Sequence, residues 1–179
     1  HLSELEPLIA LPGSPGNVKK VSEVEGKEVH QVVIGSSANP GLRDFWVPSQ
    51  MLKNQNIDPD MSLDINPSTR QVLQNLKKSG ALADVIAAGA RIHQSGCMGC
   101  IGMGQAPATN SISLRTMPRN FPGRSGTEDD KVYLCSPETA TASAITGKIT
   151  DPRTLEKSHD ISYPKWQEPE SLEINKKML

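Results

Sequence analysis

Cys97 and Cys100 form a C-x-x-C pair inside the small-residue segment Gly96–Gly102. Thiols at this spacing bind zinc, bind iron–sulfur clusters or act as redox dithiols. The flanking glycines lack a Cβ atom, so the main chain can approach a bound group closely. The segment therefore predicts a loop whose chemistry depends on sulfur.

The possible roles of this loop differ in their support. A redox role is disfavoured because the aromatic-Cys-Gly-Pro-Cys context of thioredoxin-like proteins is missing. A zinc site is supported by His93, which with Cys97 and Cys100 would present three ligands of the right type and lack only a fourth. Taken by itself, His93 is better interpreted as a packed or exposed histidine than as a ligand. The pair alone leaves zinc and iron–sulfur roles open.

A second group with possible chemistry is the arginine pair of the run Arg119-Asn120-Phe121-Pro122-Gly123-Arg124. Guanidinium groups that bracket a Pro-Gly turn can bind a carboxylate through paired hydrogen bonds, which lysine cannot do as well. The alternative is a solvated surface pair. A carboxylate-binding role is favoured, for Arg119 more than for Arg124.

These two segments, followed by Ser136–Ala140 and Gly147, resemble in order and spacing the third domain of aconitase, homoaconitase and isopropylmalate dehydratase. The resemblance runs from about Leu8 to Arg153. It implies that Cys97 and Cys100 bind a 4Fe-4S cluster and that Arg119 and Arg124 bind the carboxylates of the substrate.

The activity that the resemblance implies is that of a hydro-lyase, which removes and re-adds water across a hydroxy di- or tricarboxylate. The catalytic serine and histidines of the family belong to other domains. The isolated chain is therefore predicted to be inactive, with a small carboxylate and the remaining domains of the same polypeptide as its partners.

The chain departs from the family pattern at two positions. Where the family has I-G-S-C-T-N, this chain has Ile34–Asn39, which puts Ser37 at the position of the third cluster cysteine. A serine hydroxyl does not ionise near neutral pH, and iron–sulfur clusters prefer sulfur ligands. Pro118 stands where the family usually has asparagine. The chain is predicted to be a divergent member that holds no stable 4Fe-4S cluster by itself.

Two alternatives follow from these departures. The first is a cluster-free relative that binds a carboxylate or a partner protein, and the second is a zinc-binding structural domain. Cys135 could serve as a replacement ligand because it precedes a predicted helix, but a buried apolar role is favoured since free cysteines are usually buried.

Composition limits the possible functions and partners. The chain has 179 residues, of which 36% are hydrophobic, so a single domain with a real core is expected. A net charge of -1 without a basic block disfavours nucleic-acid binding. No apolar run is long enough to span a membrane. Three cysteines, two of them adjacent in one loop, suggest a reducing compartment, taken as the cytoplasm.

The domain organisation is predicted in three parts: an extended N-terminal arm at 1–27, an α/β domain at 28–153 and a tail at 154–179 that leads toward a missing domain. His1 and the polar C-terminal stretch suggest an excised piece of a longer protein.

Strand and helix patterns alternate along the central part. Strands are predicted near 29–34, 61–65, 112–114 and 132–134, and helices near 42–51, 66–80, 81–88 and 136–147. Such alternation predicts an α/β fold with a mostly parallel sheet in a three-layer sandwich. Ligands of these sheets bind beyond the carboxyl ends of the strands. We therefore expect Ser37, Cys97, Cys100 and Arg119 to meet at that edge.

Overall fold

A computed structural model describes His1, residues 4–38, residues 40–172 and Ile174. Seven strands form one sheet in the order β2-β1-β7-β6-β3-β4-β5. The strands are β1 Leu8–Ala10, β2 Val18–Lys20, β3 Gln31–Ile34, β4 Ser62–Ile65, β5 Arg91–Ile92, β6 Ile112–Arg115 and β7 Lys131–Cys135. Strands β3 to β7 are parallel, whereas β1 runs antiparallel to both β7 and β2.

Helices cover one face of this sheet. They are α1 Leu42–Leu52, α2 Arg70–Lys78, α3 Ala81–Ala87, α4 Pro137–Thr146 and α5 Leu155–His159. The main core forms where α1 to α4 meet the alternate apolar residues of the strands, among them Val32, Ile34, Leu63 and Leu114. Thr69 is the N-cap of α2, and its side chain accepts a hydrogen bond from the Val72 amide at 3.1 Å.

The strand order explains why the other face carries the candidate site. From β3 the chain moves outward to β4 and β5, then returns past them to β6 and β7. Crossovers between parallel strands are right-handed, so reversing direction moves the connections to the opposite face of the sheet. The segments that carry Cys97, Cys100 and the arginine pair are these two returning connections.

The face under those connections is polar. Val33 pairs in register with Asp64 and with Arg115, so all three side chains point to the same side of the sheet. Asp64 and Arg115 are fully buried. The sheet thus has one apolar face against helices and one polar face against loops.

The expected α/β class is confirmed, with a mostly parallel sheet as the middle layer of a three-layer sandwich. The third layer differs from the helices that the strand–helix alternation suggests, because the two connections on that face are irregular except for a 3-10 turn at Gly99–Ile101. Segment 1–27, predicted as an extended arm, supplies the antiparallel strands β1 and β2. The start of the tail forms α5, and Trp166 packs edge-on against Trp46 of α1 with ring centroids 5.2 Å apart.

None of the helices within the described residues is long and apolar enough to cross a membrane.

Candidate functional site

The candidate site is formed by two connections and the end of one strand. The cysteine loop, residues 93–111, joins β5 to β6, and the arginine loop, residues 116–130, joins β6 to β7. The third component is the turn after β3, where Gly35 has φ +100°. A Cβ atom at Gly35 would lie 2.2 Å from the Asn66 carbonyl oxygen, so only glycine permits this turn. The turn leads directly to Ser37.

Ser37 and Cys97 meet at this edge of the sheet. Hydrogen bonding from the Ser37 side chain is the largest cause that lowers the pKa of Cys97. Cys100, the Ser37 backbone and the charge of Arg124 add to this lowering of the pKa, whereas partial burial opposes it. Cys97 is half-buried. It is therefore the more readily ionised thiol of the pair.

Cys100 lies deeper and has a different environment. It is 3% exposed and packs with Val33 and Met117. Arg124 donates from Nη1 to the Cys100 carbonyl oxygen at 2.9 Å and from Nη2 to its Sγ at 3.2 Å. Burial, followed by the interaction with Cys97, raises the pKa of Cys100 despite the nearby guanidinium.

Glycine also allows the cysteine and arginine loops to pack together. Gly102 has φ +81°, and a Cβ atom there would lie 2.0 Å from the Ser125 carbonyl oxygen. The main chains of the two loops touch at this point because no side chain separates them. This contact and the Arg124 hydrogen bonds join the two motifs into one site.

Two buried amide side chains that sequence reasoning missed lie against the cysteine loop. Asn66 donates from Nδ2 to the Gly96 carbonyl oxygen at 2.6 Å. A Cβ atom at Gly99 would overlap the Gln105 side-chain oxygen, which places that amide on the Gly99 main chain. Asn66 Oδ1 and both polar atoms of the Gln105 side chain have no hydrogen-bond partner among the described residues. The sequence signal for Asn66 was its position at the end of a buried strand, and the signal for Gln105 was its position after a glycine-rich turn.

The structure brings together Ser37, Cys97, Cys100 and Arg124. Arg119 is exposed and lies two residues after Met117, which packs against Cys100. The two predicted arginines differ: Arg124 contacts the cysteine loop, whereas Arg119 faces solvent.

Cys135 does not join the site. Its side chain packs against the helix-covered core, on the opposite face of the sheet from Cys97 and Cys100. Burial and the charge of Glu138 raise the pKa of Cys135 to about 12. The apolar interpretation of this cysteine, favoured from the sequence, agrees with its position.

His93 has a different partner from the one that a zinc site requires. Its Nε2 lies 2.8 Å from Oδ1 of the buried Asp64, which also lies 3.3 Å from Arg91 Nε. Within the described part of the chain, no group of three or more His, Cys, Asp or Glu side chains is arranged to hold a metal ion. The three-ligand zinc arrangement of His93, Cys97 and Cys100 is therefore not formed in that part of the chain, and His93 pairs with Asp64 instead.

The donor set can be compared with the cluster that the sequence resemblance implies. Cys97 and Cys100 are free thiols and lie together, which suits two ligands of a 4Fe-4S cluster. The third position holds the Ser37 hydroxyl, a neutral oxygen donor with weak affinity for such clusters. The residues present thus fit part of the ligand set and do not fit a cluster held by three cysteines.

Comparison with known proteins identifies the family of the chain. A family model described as the aconitase family (aconitate hydratase) matches residues 1–147. The chain belongs to the aconitase family.

Members of this family with known names match most of the chain. It is 44% identical over 154 residues to the large subunit 1 of 3-isopropylmalate dehydratase from Methanopyrus kandleri, covering 85% of this chain and 37% of the relative. It is 38% identical to the homoaconitase large subunit from Thermus thermophilus, over 87% of this chain and 37% of the relative. A methanogen homoaconitase large subunit from Methanocaldococcus jannaschii is also 38% identical, over 84% of this chain and 36% of the relative. The chain thus spans little more than a third of these aconitase-family proteins.

Proposed function

We propose that this chain is the substrate-facing domain of an aconitase-family hydro-lyase acting on a hydroxy di- or tricarboxylate. The observation that supports this most is the contact of Arg124 with Cys100, at 2.9 Å to its carbonyl oxygen and 3.2 Å to its thiol. That contact joins an arginine, a residue suited to binding carboxylates, directly to a cysteine loop suited to binding a metal.

In this proposal the two arginines have separate tasks. Arg119 is exposed and binds a substrate carboxylate. Arg124 uses two of its donor nitrogens on the cysteine loop and, since a guanidinium has five N–H groups, can still donate to a second carboxylate oxygen. Arg124 thereby sets the distance between substrate and cysteines.

Cys97 and Cys100 are the proposed metal ligands of the domain, and Ser37 occupies the place of a third. With two thiols and one hydroxyl, we expect the chain alone to retain no stable 4Fe-4S cluster. The acid and base groups come from other domains of the polypeptide or, as the relatives are named large subunits, from another subunit. The chain alone is accordingly expected to bind a carboxylate and to show no turnover.

A second candidate function is a cluster-free domain that binds a carboxylate. It is favoured by Arg124, which donates to the Cys100 thiol, and by Ser37, whose side chain lowers the pKa of Cys97. Both sulfurs thus have polar neighbours within the chain. The two candidates share the arginines and differ in what the cysteines do.

Calorimetric titration with citrate and with 3-isopropylmalate tests the shared part. We expect Arg119→Met to weaken binding of the preferred anion by about tenfold or more, because a charge-assisted pair is lost. The matched control is Arg153→Met, which removes an arginine that is exposed like Arg119 but pairs with Asp151 between α4 and α5, away from the two loops. Binding that Arg119→Met leaves unchanged, or no binding of either anion, would contradict the proposal.

Anaerobic reconstitution followed by iron and acid-labile sulfide analysis separates the two candidates. Partial iron that is lost with Cys97→Ala or Cys100→Ala supports the metal-ligand role. An iron content of the wild-type chain that does not exceed that of a Cys97/Cys100 double-alanine variant supports the cluster-free domain. Near-stoichiometric iron and sulfide after desalting would contradict the expectation that two thiols are too few.

A further inference from the structure

Arg115 is the largest fully buried side chain in the described part of the molecule. It lies on β6, in the interior of the sheet, and points toward the polar face. An arginine is rarely buried without a partner, because removing a cation from water is costly. Its contacts therefore indicate what it is used for.

The guanidinium of Arg115 connects the sheet to the cysteine loop. Nε donates to Ser113 Oγ at 3.0 Å, and Nη2 donates to Gln31 Oε1 at 2.9 Å, both acceptors being on strands. Nη1 donates to the Gly99 carbonyl oxygen at 2.8 Å, and Nη2 also donates to the Gln105 carbonyl oxygen. Two acceptors lie in the sheet and two lie in the loop, so a single planar group fixes one to the other.

A second layer of hydrogen bonds orients this guanidinium. Ser113 Oγ donates to Gln31 Oε1 at 2.7 Å, and Gln31 Nε2 donates to the Gln105 carbonyl oxygen at 3.2 Å. All of these side chains are buried. Side chains of the two neighbouring strands β3 and β6 therefore hold the Arg115 guanidinium in place.

The direct partners of Arg115 are neutral oxygen atoms, and the carboxylates of Asp130 and Asp64 act on its charge only at longer range. Among the ion pairs of the described residues, none joins Arg115 to a carboxylate within 4 Å. Burial lowers the pKa of Arg115 to about 10, which still leaves it protonated at neutral pH. A buried cation of this kind adds little net stability compared with an apolar residue, so its value lies in fixing a conformation.

The two loop acceptors lie on either side of Cys100. Gly99 directly precedes this cysteine, and Gln105 follows the 3-10 turn that contains it. On the other side, Arg124 contacts the Cys100 thiol. Cys100 is thus held between two guanidinium groups, one on the sheet and one on the arginine loop.

We propose that Arg115 is the positioning residue of the cysteine loop, which it pins to the sheet at Gly99 and Gln105 so that Cys97 and Cys100 are held together facing Ser37 and the arginine loop. The inference relies on the proposed function only in taking the cysteine loop as the functional element. It assigns a role to a residue that contacts neither the substrate nor a metal.

The test compares Arg115→Met, Arg115→Lys and Ile149→Ala in metal-free protein. Methionine removes the donors and the charge, lysine keeps the charge but cannot bridge four acceptors, and Ile149→Ala destabilises the core away from the loop. The readouts are hydrogen exchange of the amides of 99–105, with those of 62–65 as internal reference, and the rate of Cys100 alkylation by iodoacetamide.

We expect Arg115→Met to raise both loop exchange and Cys100 alkylation by about tenfold or more relative to the internal reference, because local opening of the loop becomes easier. Arg115→Lys should lie between wild type and Arg115→Met. Ile149→Ala should leave both readouts within about twofold of wild type after correction for global stability, since it does not touch the loop. Loop exchange and alkylation in Arg115→Met that match those in Ile149→Ala would overturn the proposal.

If Arg115→Met does not fold, Gln31→Leu provides the same test from the strand side, because it removes an acceptor of Arg115 and a donor to Gln105. Gln31→Leu should loosen the loop, and an unchanged loop in both Gln31→Leu and Arg115→Lys would again overturn the proposal. Neither readout involves iron or a carboxylate. A failure of the proposed function is therefore distinguishable from a failure of this inference.

Discussion

The Ser37 side chain is the main cause of the lowered pKa of Cys97, so the turn after β3 lies beside the cysteine loop. The two segments lie at the point where the strand order reverses, between β3 and β6, which is where parallel sheets bind ligands. Ser37, which is predicted to stand at the position of a family cysteine, is therefore a neighbour of Cys97. Several consequences of this arrangement can be measured.

Removing the Ser37 hydroxyl should change the ionisation of Cys97. Hydrogen bonding from Ser37 is the main factor that lowers the pKa of Cys97, so Ser37→Ala should raise it. The midpoint of the pH profile for Cys97 alkylation should move to higher pH, as followed by mass spectrometry. Ser95→Ala is the control, since the Ser95 hydroxyl makes no hydrogen bond within the described residues. An identical midpoint in Ser37→Ala and wild type would rule out this role.

Restoring the family residues should improve cluster retention. Ser37→Cys adds a third thiol beside Cys97, and Pro118→Asn adds a polar side chain next to Arg119. We expect the double variant to hold more iron and sulfide than either single variant, because groups in one site are not additive. Iron and sulfide analysis of wild type, both single variants and the double variant after anaerobic reconstitution is the measurement. Equal and negligible contents in four folded proteins would favour the cluster-free function.

The contact between the cysteine and arginine loops can be tested with a matched pair of glycines. Gly102 and Gly104 have similar backbone angles, φ +81° and φ +77°, but only Gly102 has atoms close to its Cβ position. Gly104→Ala should cost about 1 to 2 kcal/mol for the left-handed conformation. Gly102→Ala should cost roughly 1 to 3 kcal/mol more, because the methyl group meets the Ser125 carbonyl. Denaturant unfolding measures both, and equal costs would argue against tight packing of the loops.

Cys135 should make the stability of the chain depend on pH in the alkaline range. Burial and Glu138 raise the pKa of Cys135 to about 12, above that of an unfolded thiol at about 8.5. The folded state therefore favours the neutral thiol, and this contribution is complete below about pH 8.5 and is lost as pH rises toward 12. Cys135→Ala should flatten the decline in unfolding free energy between pH 8.5 and 10.5, measured by urea unfolding. A decline as steep as in wild type would show that other groups cause it.

Much of the fold could be predicted from the sequence because local signals coincide with it. Ser136 and Gly147 mark the limits of α4, and the alternation of Leu63 and Ile65 with polar residues marks β4. The N-terminal strands could not be predicted, since β1 and β2 are short and form only by pairing with β7, which is distant in sequence. Their stability depends on tertiary contacts and not on their own residues.

The residues of the candidate site that belong to sequence motifs could be predicted. The residue that the sheet places beneath them was missed. Cys97, Cys100 and Arg124 belong to motifs, and they do meet. Arg115 was missed because a charged residue in a strand is usually taken to face solvent. The available signal was that Arg115 follows the apolar Leu114 in β6, a strand with a neighbour on each side in the sheet.

The two outer strands of the sheet have a consequence for the behaviour of the chain in concentrated solution. An unpaired strand edge can recruit the backbone of another molecule and start aggregation. Here one edge is β2, where Val18, Lys19 and Lys20 are all exposed, and the other is β5, which is only 2 residues long and begins at Arg91. The lysine charges of β2 and the short length of β5 both disfavour the addition of a further strand. The sheet therefore resists edge-to-edge polymerisation, although its interior strands are strongly apolar on one face.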